Sequence, residues 1–311
     1  MCFIYPFHII LKVNRKPNKL CSGVLLLLLV YLSLAFISCS KKYSNRRVVS
    51  SEVHKDKSHF KIATTNATYY IEKCSGGLSS IIDSDGNDWI GYRNSGNVSV
   101  PKSAESDFRG LPNLVHGGEL NGIGHPGFEV CQSTQLDKNT IKVHSFEGGY
   151  AWRWVAYEDH LAIRLDEVNP GRNYWFLYEG IPGGTYEPDN IIWGTQQGIR
   201  SDKPDFLKGE TLEENWHWVF FTANNANNTL CLVQTEMDEN ADVMGLMGNT
   251  DKGMQSPDGM VVFGFGRSKN TEPLLHRPYT FLVSMYPKAI KNENDHNDLK
   301  NHVEKLLTQH R

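Results

Sequence analysis

Hydrophobic and polar residues alternate along most of the chain between residues 59 and 287. Short runs rich in β-branched and aromatic side chains are separated there by Asn, Asp and Gly, a pattern typical of antiparallel strands. The predicted strands lie in HFKIATTNATYYIEK, with a break at Thr65-Asn66, in LSSIIDSDGNDWIGY, with a turn at Asp85-Gly86, and in KVHSFE, YAWRWVAYE, HLAIRLDEV, YWFLYEG, WHWVFFTAN, TLCLVQTE, MVVFGFGR and YTFLVSMYP. Strands do not alternate with helices, so the pattern predicts an all-β fold, a large antiparallel β-sandwich, and not a doubly wound parallel sheet.

The last part of the chain has a different period. Apolar residues recur there at helical spacing, at Leu299, Val303, Leu306 and Leu307. The segment from Asn294 to Asn297 offers a residue that can cap the start of a helix. Residues 288–311 are therefore predicted to form one C-terminal amphipathic helix that packs on the outside of a sheet.

The N-terminal segment has the features of an export signal. Basic residues occupy positions 12, 15, 16 and 19, no acidic residue precedes Glu52, and an apolar run extends from Val24 to Ile37. This run is too short to span a bilayer comfortably, which needs about 20 apolar residues, but it suits the core of a signal peptide. A plain transmembrane anchor is the alternative, and both interpretations export the domain.

The end of this segment, Phe36-Ile37-Ser38-Cys39, resembles the lipobox of bacterial lipoproteins, in which a small residue precedes the lipidated cysteine. The resemblance implies a signal peptide over residues 1–38 and a lipid anchor at Cys39. It also implies a location in the cell envelope, facing the periplasm or the cell surface. Residues 39–58 are polar and charged, which predicts a flexible tether before the β-sandwich domain at 59–287.

The charge of the mature chain argues against a nucleic-acid partner. The whole sequence has 32 basic and 35 acidic residues, and loss of the four basic residues of the signal leaves 28 against 35, a net charge of −7. Nucleic-acid binding depends on basic patches. Cys74, Cys131 and Cys231 allow at most one disulfide in the domain, and their spacing is not that of a zinc site.

A glycine-rich segment from Arg109 to Phe128 (RGLPNLVHGGELNGIGHPGF) shows no strand alternation. Long connections without regular structure inside a compact domain are uncommon and often form active-site or binding loops. The segment contains Asn113, His116 and His125, and histidines can transfer protons near neutral pH. The segment therefore predicts a functional loop, with a surface loop of solvated histidines as the alternative.

Two strand segments place a polar residue between tryptophans. Period-two geometry puts Trp152 and Trp154 on one face and Arg153 on the other, and His217 is flanked by two tryptophans in the same way. If these strands share a sheet, Arg153 and His217 converge on one surface with a tyrosine of the YWFLY segment. The alternative is that the tryptophans fill the core and that the polar residues are solvated.

Three other patterns have simpler explanations. The segment Asp83–Asp88 resembles the start of a calcium loop but lacks the downstream glutamate, so a hairpin turn is the better interpretation. The sequence FGFG at 263–266 has no helix after it and is not a nucleotide loop. The chain contains no GxSxG, HExxH or Walker motif, which leaves esterase, zincin and NTPase activities without support.

The segment TYYIEKCSGGLSSIIDSDGNDWIGY is similar to the first strands of carbohydrate-active β-sandwiches of the galactose-mutarotase and polysaccharide-lyase type. The segments RGLPN, GHPGF and YEGIPGG resemble exported proteins found beside polysaccharide lyases and sulfatases, namely the ulvan-oligosaccharide dehydratases of marine polysaccharide degraders. The resemblance covers roughly residues 60 to 287 in scattered segments, without an aligned catalytic motif. It implies a mutarotase-like supersandwich that removes water across C4–C5 of a non-reducing-end uronic acid and leaves an unsaturated uronate.

This chemistry needs one group that neutralises the uronate carboxylate and others that move protons. We expect Arg153 to hold the carboxylate. The expected acids and bases are His116, His125, Tyr178 and His217, and which of them is the base stays open. The expected substrate contacts are Arg109, Asn113, Trp152, Tyr174 and Trp216. The reaction requires no metal or organic cofactor, and the expected partners are an anionic oligosaccharide and, through the lipid, a membrane.

Three alternatives differ from dehydration. A polysaccharide lyase would use similar groups to cleave the chain. A glycoside hydrolase would need two carboxylates, for which Glu119, Glu129 and Glu179 are available. A non-catalytic glycan-binding lipoprotein would use the tryptophans without loop histidines.

Overall fold

The strands among the described residues of the domain pair with antiparallel neighbours in three sheets. The computed structural model describes residues 49–91, 109–248 and 253–311, so the predicted signal segment and Cys39 lie outside the described residues. The described residues belong to one compact unit, Arg47–Arg311. The predicted all-β class with one C-terminal helix is confirmed.

One sheet has nine strands and the other two have four strands each. The first sheet runs β1 (Ser50–His54), β2 (Lys57–Ala63), β3 (Ala67–Glu72) and β4 (Leu78–Asp83), in that order. The nine-stranded sheet contains β5 (Cys131–Gln135), β6 (Thr140–Ser145), β7 (Ala151–Ala156), β8 (His160–Glu167), β10 (Ile191–Thr195), β11 (Gly198–Arg200), β13 (Trp218–Ala223), β14 (Thr229–Gln234) and β17 (Thr280–Tyr286), in the order β11-β10-β13-β14-β17-β8-β7-β6-β5. The third sheet contains β9 (Phe176–Gly180), β12 (Leu212–Glu214), β15 (Asp242–Met247) and β16 (Met260–Phe265), in the order β12-β15-β16-β9. Short 3₁₀ turns occur at Pro182–Gly184, Phe206–Lys208 and Gly253–Gln255.

The main hydrophobic core receives side chains from all three sheets. Phe176 of β9 stacks on Phe281 of β17 with ring centres 4.3 Å apart, which joins the third sheet to the nine-stranded sheet. The segment after Arg109 joins the two small sheets, since Leu111 bridges to Leu78 of β4 and Gly110 bridges to Glu179 of β9. Part of the predicted loop is therefore built into the sandwich rather than lying over its surface.

The helix α1 (Glu293–Gln309) packs on the outer face of the nine-stranded sheet, as predicted. Leu299 and Val303 of α1 are buried in a second cluster together with Trp218 and Leu282 of the sheet. Asn292, rather than a residue between 294 and 297, caps the helix, because its side chain accepts hydrogen bonds from the N–H groups of Asn294 and Asp295. Among the described residues, no helix is long and apolar enough to cross a membrane.

The predicted tether at 39–58 is wrong in its second half. Residues 50–54 form β1, which pairs with β2, and β2 begins at Lys57. This edge strand carries mostly exposed polar residues, so its sequence lacks the alternation that identifies a half-buried strand. The second strand predicted after the Asp85-Gly86 turn is reduced to a single bridge between Ile82 and Asp88.

Candidate functional site

The outer face of the third sheet carries the best candidate site. Along β9, Phe176 and Tyr178 point into the main core, so the alternating side chains of Leu177 and Glu179 lie on the opposite face. Trp175, just before β9, packs with Leu177 in a separate small cluster on that outer face. Three functional groups meet this face: the Arg267 guanidinium, the pair His125–Glu179, and the end of the glycine-rich segment.

Arg267 follows β16 in a turn that the backbone fixes. Gly266 has a φ of +65°, and a side chain there would collide with Leu275. The Gly266 N–H donates to the Asp242 carboxylate over 2.8 Å, and the other oxygen of Asp242 accepts from the Trp216 N–H over 2.7 Å. Asp242 is almost fully buried, and this burial raises its pKa well above the usual value. The turn therefore projects Arg267 in a defined direction.

The Arg267 side chain is buried without using all of its donors. Its guanidinium carbon lies 5.0 Å from the ring centre of Trp175 and 4.9 Å from that of Phe206. The residue is 4% exposed, yet its Nε and Nη1 have no hydrogen-bond partner among the described residues. Burial lowers its pKa to about 10, and the charge of Glu179 opposes this shift. Arg267 is thus a buried cation at neutral pH with unused donors.

The imidazole of His125 faces the carboxylate of Glu179. The Nδ1 of His125 lies 2.7 Å from the carbonyl oxygen of Pro126, which can only accept, so Nδ1 carries a hydrogen. The Nε2 of His125 lies 3.3 Å from Oε2 of Glu179. A neutral imidazole with its hydrogen on Nδ1 would direct a lone pair at the carboxylate, so a hydrogen bond between the two groups requires one proton that they share. Their side chains are 3% and 14% exposed respectively.

The glycine-rich segment is tied to this face by its backbone. The Asn113 N–H donates to the Leu177 carbonyl over 3.2 Å, and the Trp175 N–H donates to the Leu114 carbonyl over 3.2 Å. These bonds place Asn113 beside Trp175, whose ring centre is 6.2 Å from that of the exposed His116. Asn113 Oδ1 and Trp175 Nε1 are buried and have no hydrogen-bond partner among the described residues. Unsatisfied polar atoms therefore concentrate around Trp175 and Arg267.

Further hydrogen bonds hold the backbone of the segment at its middle and near its end. Arg172 donates to the His116 carbonyl over 3.2 Å, and the Gly127 N–H donates to Glu72 over 2.7 Å. Leu114 and Val115 also donate backbone hydrogen bonds to the Ile123 carbonyl. The segment predicted to be functional is thus positioned by fixed contacts, and it brings three of its predicted residues, Asn113, His116 and His125, to the candidate site.

The predicted composite site with Arg153 and His217 is not formed. Arg153 lies on the outer face of the nine-stranded sheet, because Trp152 and Trp154 on the same strand point into the core. Its Nε lies 2.8 Å from the Asp166 carboxylate, so the guanidinium already has an anionic partner. His217 lies before β13 and lines a cleft with α1. Both residues are separated by the sandwich from Glu179, which lies on the outer face of the opposite sheet.

Tyr178 also lies in a position that does not suit acid–base chemistry on a substrate. It is fully buried in the core, and its hydroxyl donates to the Trp89 carbonyl over 2.7 Å. Burial raises its pKa well above the usual value. The outward-facing neighbour Glu179, and not Tyr178, is the residue of this strand that meets the candidate site.

Four of the predicted substrate contacts are structural. Each side chain is buried and bonded inside the domain: Trp152 donates to Gly76, Tyr174 to Arg277, Trp216 to Glu214, and Arg109 to the carbonyls of Asp258 and Gly259. Trp216 lies in the main core whereas Trp218 faces α1, so the prediction that they share a face is wrong. Asn113 alone of the predicted substrate contacts lies at the candidate site.

Arg267 was not among the predicted site residues, and Glu179 was considered only as a possible hydrolase carboxylate. The signal for Arg267 was its position at the end of the predicted strand MVVFGFGR, where strand ends commonly carry functional residues. Its burial against Trp175 is a tertiary contact that no local pattern shows. Among the described residues, no group of three or more His, Cys, Asp or Glu side chains has a geometry that could hold a metal ion.

Comparisons with known proteins show similarity at the level of solved structures. No protein-family model matches the sequence, and no curated protein matches it. The chain is similar to HI1317, with 10% identity and a TM-score of 0.48 over 79% of this chain and 97% of that chain. It is similar to a galactose mutarotase-like protein from Lactobacillus casei ATCC 334, with 9% identity and a TM-score of 0.47 over 73% of this chain and 100% of that chain.

A more distant similarity is to a mutant of the heparan sulfate lyase HepC from Pedobacter heparinus. The identity is 6% and the TM-score 0.38, over 80% of this chain and 37% of that chain. Similarities at these values give no residue-by-residue correspondence. The function is therefore inferred from the geometry of the candidate site itself.

Proposed function

We propose that the protein is a carbon–oxygen lyase that acts on uronic acid residues of anionic oligosaccharides. The observation that carries the proposal is the buried Arg267 guanidinium, whose Nε and Nη1 have no hydrogen-bond partner among the described residues. Buried donors without acceptors are costly, and a carboxylate offers the two acceptors that the guanidinium fork matches. Arg267 thus takes the role that the sequence alone assigned to Arg153.

In the proposed reaction, Arg267 binds the carboxylate attached to C5 of the uronic acid. Neutralisation of this carboxylate makes the C5 hydrogen more acidic and stabilises the enolate-like charge that develops when it leaves. Asn113 and Trp175 contribute polar atoms beside the guanidinium that can orient the same sugar ring. Because the positive charge is fixed before the substrate binds, little reorganisation is needed during the reaction.

The pair His125–Glu179 supplies the proton transfer. When the shared proton is on His125, Glu179 is a carboxylate, and its more exposed side chain is the proposed base for the C5 hydrogen. His116, at the exposed edge beside Trp175, is the proposed acid for the leaving oxygen at C4. The C5–H and C4–O bonds break, a C4–C5 double bond forms, and the C4 oxygen departs with a proton.

The substituent on C4 decides between two outcomes of this chemistry. A free hydroxyl leaves as water, which is dehydration of a non-reducing end, whereas a linked sugar leaves as a shortened chain. We favour dehydration of ulvan-type fragments. A glycoside hydrolase at the candidate site is less well supported, because it needs two carboxylates there, whereas Glu119 and Glu129 line a separate cleft of about 200 Å³ to which Glu179 does not belong.

The test is incubation of the full chain with glucuronate- and iduronate-terminated oligosaccharides. We expect ultraviolet absorbance of an unsaturated uronate together with a product mass lower by one water. Cleavage into two fragments with the same absorbance would indicate a chain-cleaving lyase. Cleavage without absorbance would indicate a hydrolase, and an unchanged oligosaccharide would leave only binding. The Arg267→Met variant is the matched control.

We also propose that this reaction takes place in the cell envelope, with the domain anchored by lipid at Cys39. The support is the sequence of the N-terminal segment, with its basic residues, apolar run and Ser38-Cys39 ending. An anchored enzyme at this location would meet oligosaccharides as they enter the cell.

A further inference from the structure

The cleft between α1 and the ends of β10 and β13 is separate from the candidate catalytic site. It has a volume of about 380 Å³, and the residues that line it include Gln196, His217, Trp218, Lys300, Thr308 and Arg311. This volume lies within the range of small-ligand sites. His217, which the sequence analysis singled out, thus belongs to a second concave surface. We call this surface the helix cleft.

Two half-buried side chains of the helix cleft have unsatisfied polar atoms. Gln196 Oε1 and His217 Nε2 are buried and have no hydrogen-bond partner among the described residues. Buried polar atoms in proteins are nearly always paired, so two such atoms in residues that line one cleft indicate a partner that binds there. An amide and an imidazole can exchange hydrogen bonds with hydroxyl groups.

The charges of the helix cleft favour an anion. Lys300 and Arg311 are positive, and Glu304 is the one acidic residue that lines the cleft among the described residues. The charge of Arg311 reaches His217, since it adds to the effect of burial in lowering the pKa of that imidazole. Trp218, packed under the helix, gives the cleft an aromatic wall.

We infer that the helix cleft is a second, non-catalytic binding site for an acidic sugar unit of the same oligosaccharide class. Lys300 and Arg311 pair with its carboxylate or sulfate, and Gln196, His217 and Thr308 bond to its hydroxyls. The choice of a sugar rests on the proposed function, whereas the anionic character rests on the cleft itself. Such a site would hold the oligosaccharide on the enzyme between reactions.

The test is equilibrium titration of the full chain with a short glucuronate-containing oligosaccharide. The Arg267→Met background removes the guanidinium of the proposed catalytic site, so the oligosaccharide is not converted during the titration. We expect one equivalent still to bind in this background. Addition of Arg311→Ala, an exposed position, should weaken that binding about tenfold or more, as expected for loss of a charge-assisted hydrogen bond. Addition of Lys305→Ala, which is also exposed on α1 but does not line the cleft, should change it less than about twofold.

Several results would overturn the inference: no binding in the Arg267→Met background, equal effects of Arg311→Ala and Lys305→Ala, or equal affinity for a neutral oligosaccharide of the same length. Inorganic sulfate that binds as tightly as the oligosaccharide would refute a sugar site. The proposed function fails independently. Arg311-dependent binding without any unsaturated product would refute the lyase activity and support the binding site in the helix cleft. Formation of the unsaturated product without Arg311-dependent binding would support the lyase activity and refute the binding site.

Discussion

The guanidinium carbon of Arg267 lies 5.0 Å from the centre of the Trp175 ring, and this contact fixes a buried cation without using its N–H groups. An arginine held by an aromatic face keeps its hydrogen-bonding edge available, whereas an arginine held by a carboxylate does not. Arg153 is the counterexample in the same chain, since Asp166 occupies its guanidinium fork. This difference is the reason that we propose Arg267, and not Arg153, as the arginine that binds a substrate carboxylate.

Two substitutions of Arg267 should distinguish the contribution of its charge to turnover from that of its planar shape. Arg267→Lys keeps a positive charge but loses the planar fork, so we expect turnover of uronate oligosaccharides to fall by roughly 10²-fold. Arg267→Met should abolish measurable turnover while the domain stays folded, because an apolar side chain suits the wall of Trp175 and Phe206. Arg153→Met is the matched control and should retain activity. Steady-state kinetics with circular dichroism checks both expectations.

Loss of the proposed base should affect chemistry more than binding. Glu179→Gln removes the carboxylate and keeps the size of the side chain, so we expect the turnover number to fall by roughly 10²–10⁴-fold with a similar KM. Glu119→Gln, in the separate cleft, should leave turnover within about twofold. A large loss in Glu119→Gln together with an active Glu179→Gln would contradict the assignment. Rates are measured by absorbance of the unsaturated product.

Much of the fold follows from local patterns in the sequence. Strands β2, β3, β7 and β8 alternate clearly, and α1 has its apolar residues at helical spacing, so each was predictable from its own segment. The strands that sequence analysis missed include the polar edge strand β1 and the three-residue strand β12. Such strands form because a neighbour offers a free edge, and that neighbour lies elsewhere in the sequence.

The site was predictable only in part for the same reason. His116 and His125 were found because a long glycine-rich segment with histidines is unusual in itself. Alternation placed Arg153 correctly on an outer face, but it could not show that Asp166 on the adjacent strand pairs with it. The role proposed for Arg267 depends on its contact with Trp175, and these two residues are far apart in the chain.

The turn that carries Arg267 should depend on Asp242. Asp242→Ala leaves the buried N–H groups of Trp216 and Gly266 without acceptors, so we expect the free energy of unfolding to fall by roughly 2–4 kcal/mol. The exposed Asp189→Ala should change it by less than about 0.5 kcal/mol. Urea denaturation of the two variants provides the comparison. A loss no larger than that of Asp189→Ala would show that the turn holds without this carboxylate.

Lipid attachment at Cys39 has a direct test. Cys39→Ala removes the sulfur that would carry the lipid, so we expect the protein to move from the membrane fraction to the soluble fraction or to accumulate as the unprocessed precursor. Fractionation and intact mass measure both results. Unchanged membrane partition and unchanged mass would rule out the lipoprotein assignment and favour a transmembrane anchor.

A hydrogen bond between two histidines connects the end of α1 to the nine-stranded sheet. The Nδ1 of His160 lies 2.8 Å from the Asp159 carboxylate, which fixes a hydrogen on Nδ1 and leaves Nε2 as an acceptor. His310, at the C-terminus of α1, therefore donates from its own Nε2 to His160 over 2.9 Å. The remaining Nδ1 of His310 is buried and has no hydrogen-bond partner among the described residues. A neutral His310 leaves a lone pair on this buried Nδ1, whereas a protonated His310 would bury an N–H group without an acceptor.

Acidification should loosen this contact. Burial, followed by the charges of His160 and Arg164, lowers the pKa of His310 from 6.5 to about 4. The unfolded chain therefore binds the proton more tightly, so this contribution to stability is complete above pH 6.5 and is lost as the pH falls towards 4. We expect a loss of roughly 1–2 kcal/mol, less than the full shift would give because solvent screens a half-buried ring. His310→Phe should remove that part of the pH dependence, whereas Gln309→Ala, an exposed neighbour on α1, should keep it. Urea denaturation at pH 7 and pH 4.5 measures the difference, and equal pH dependence in wild type and His310→Phe would refute the role of His310.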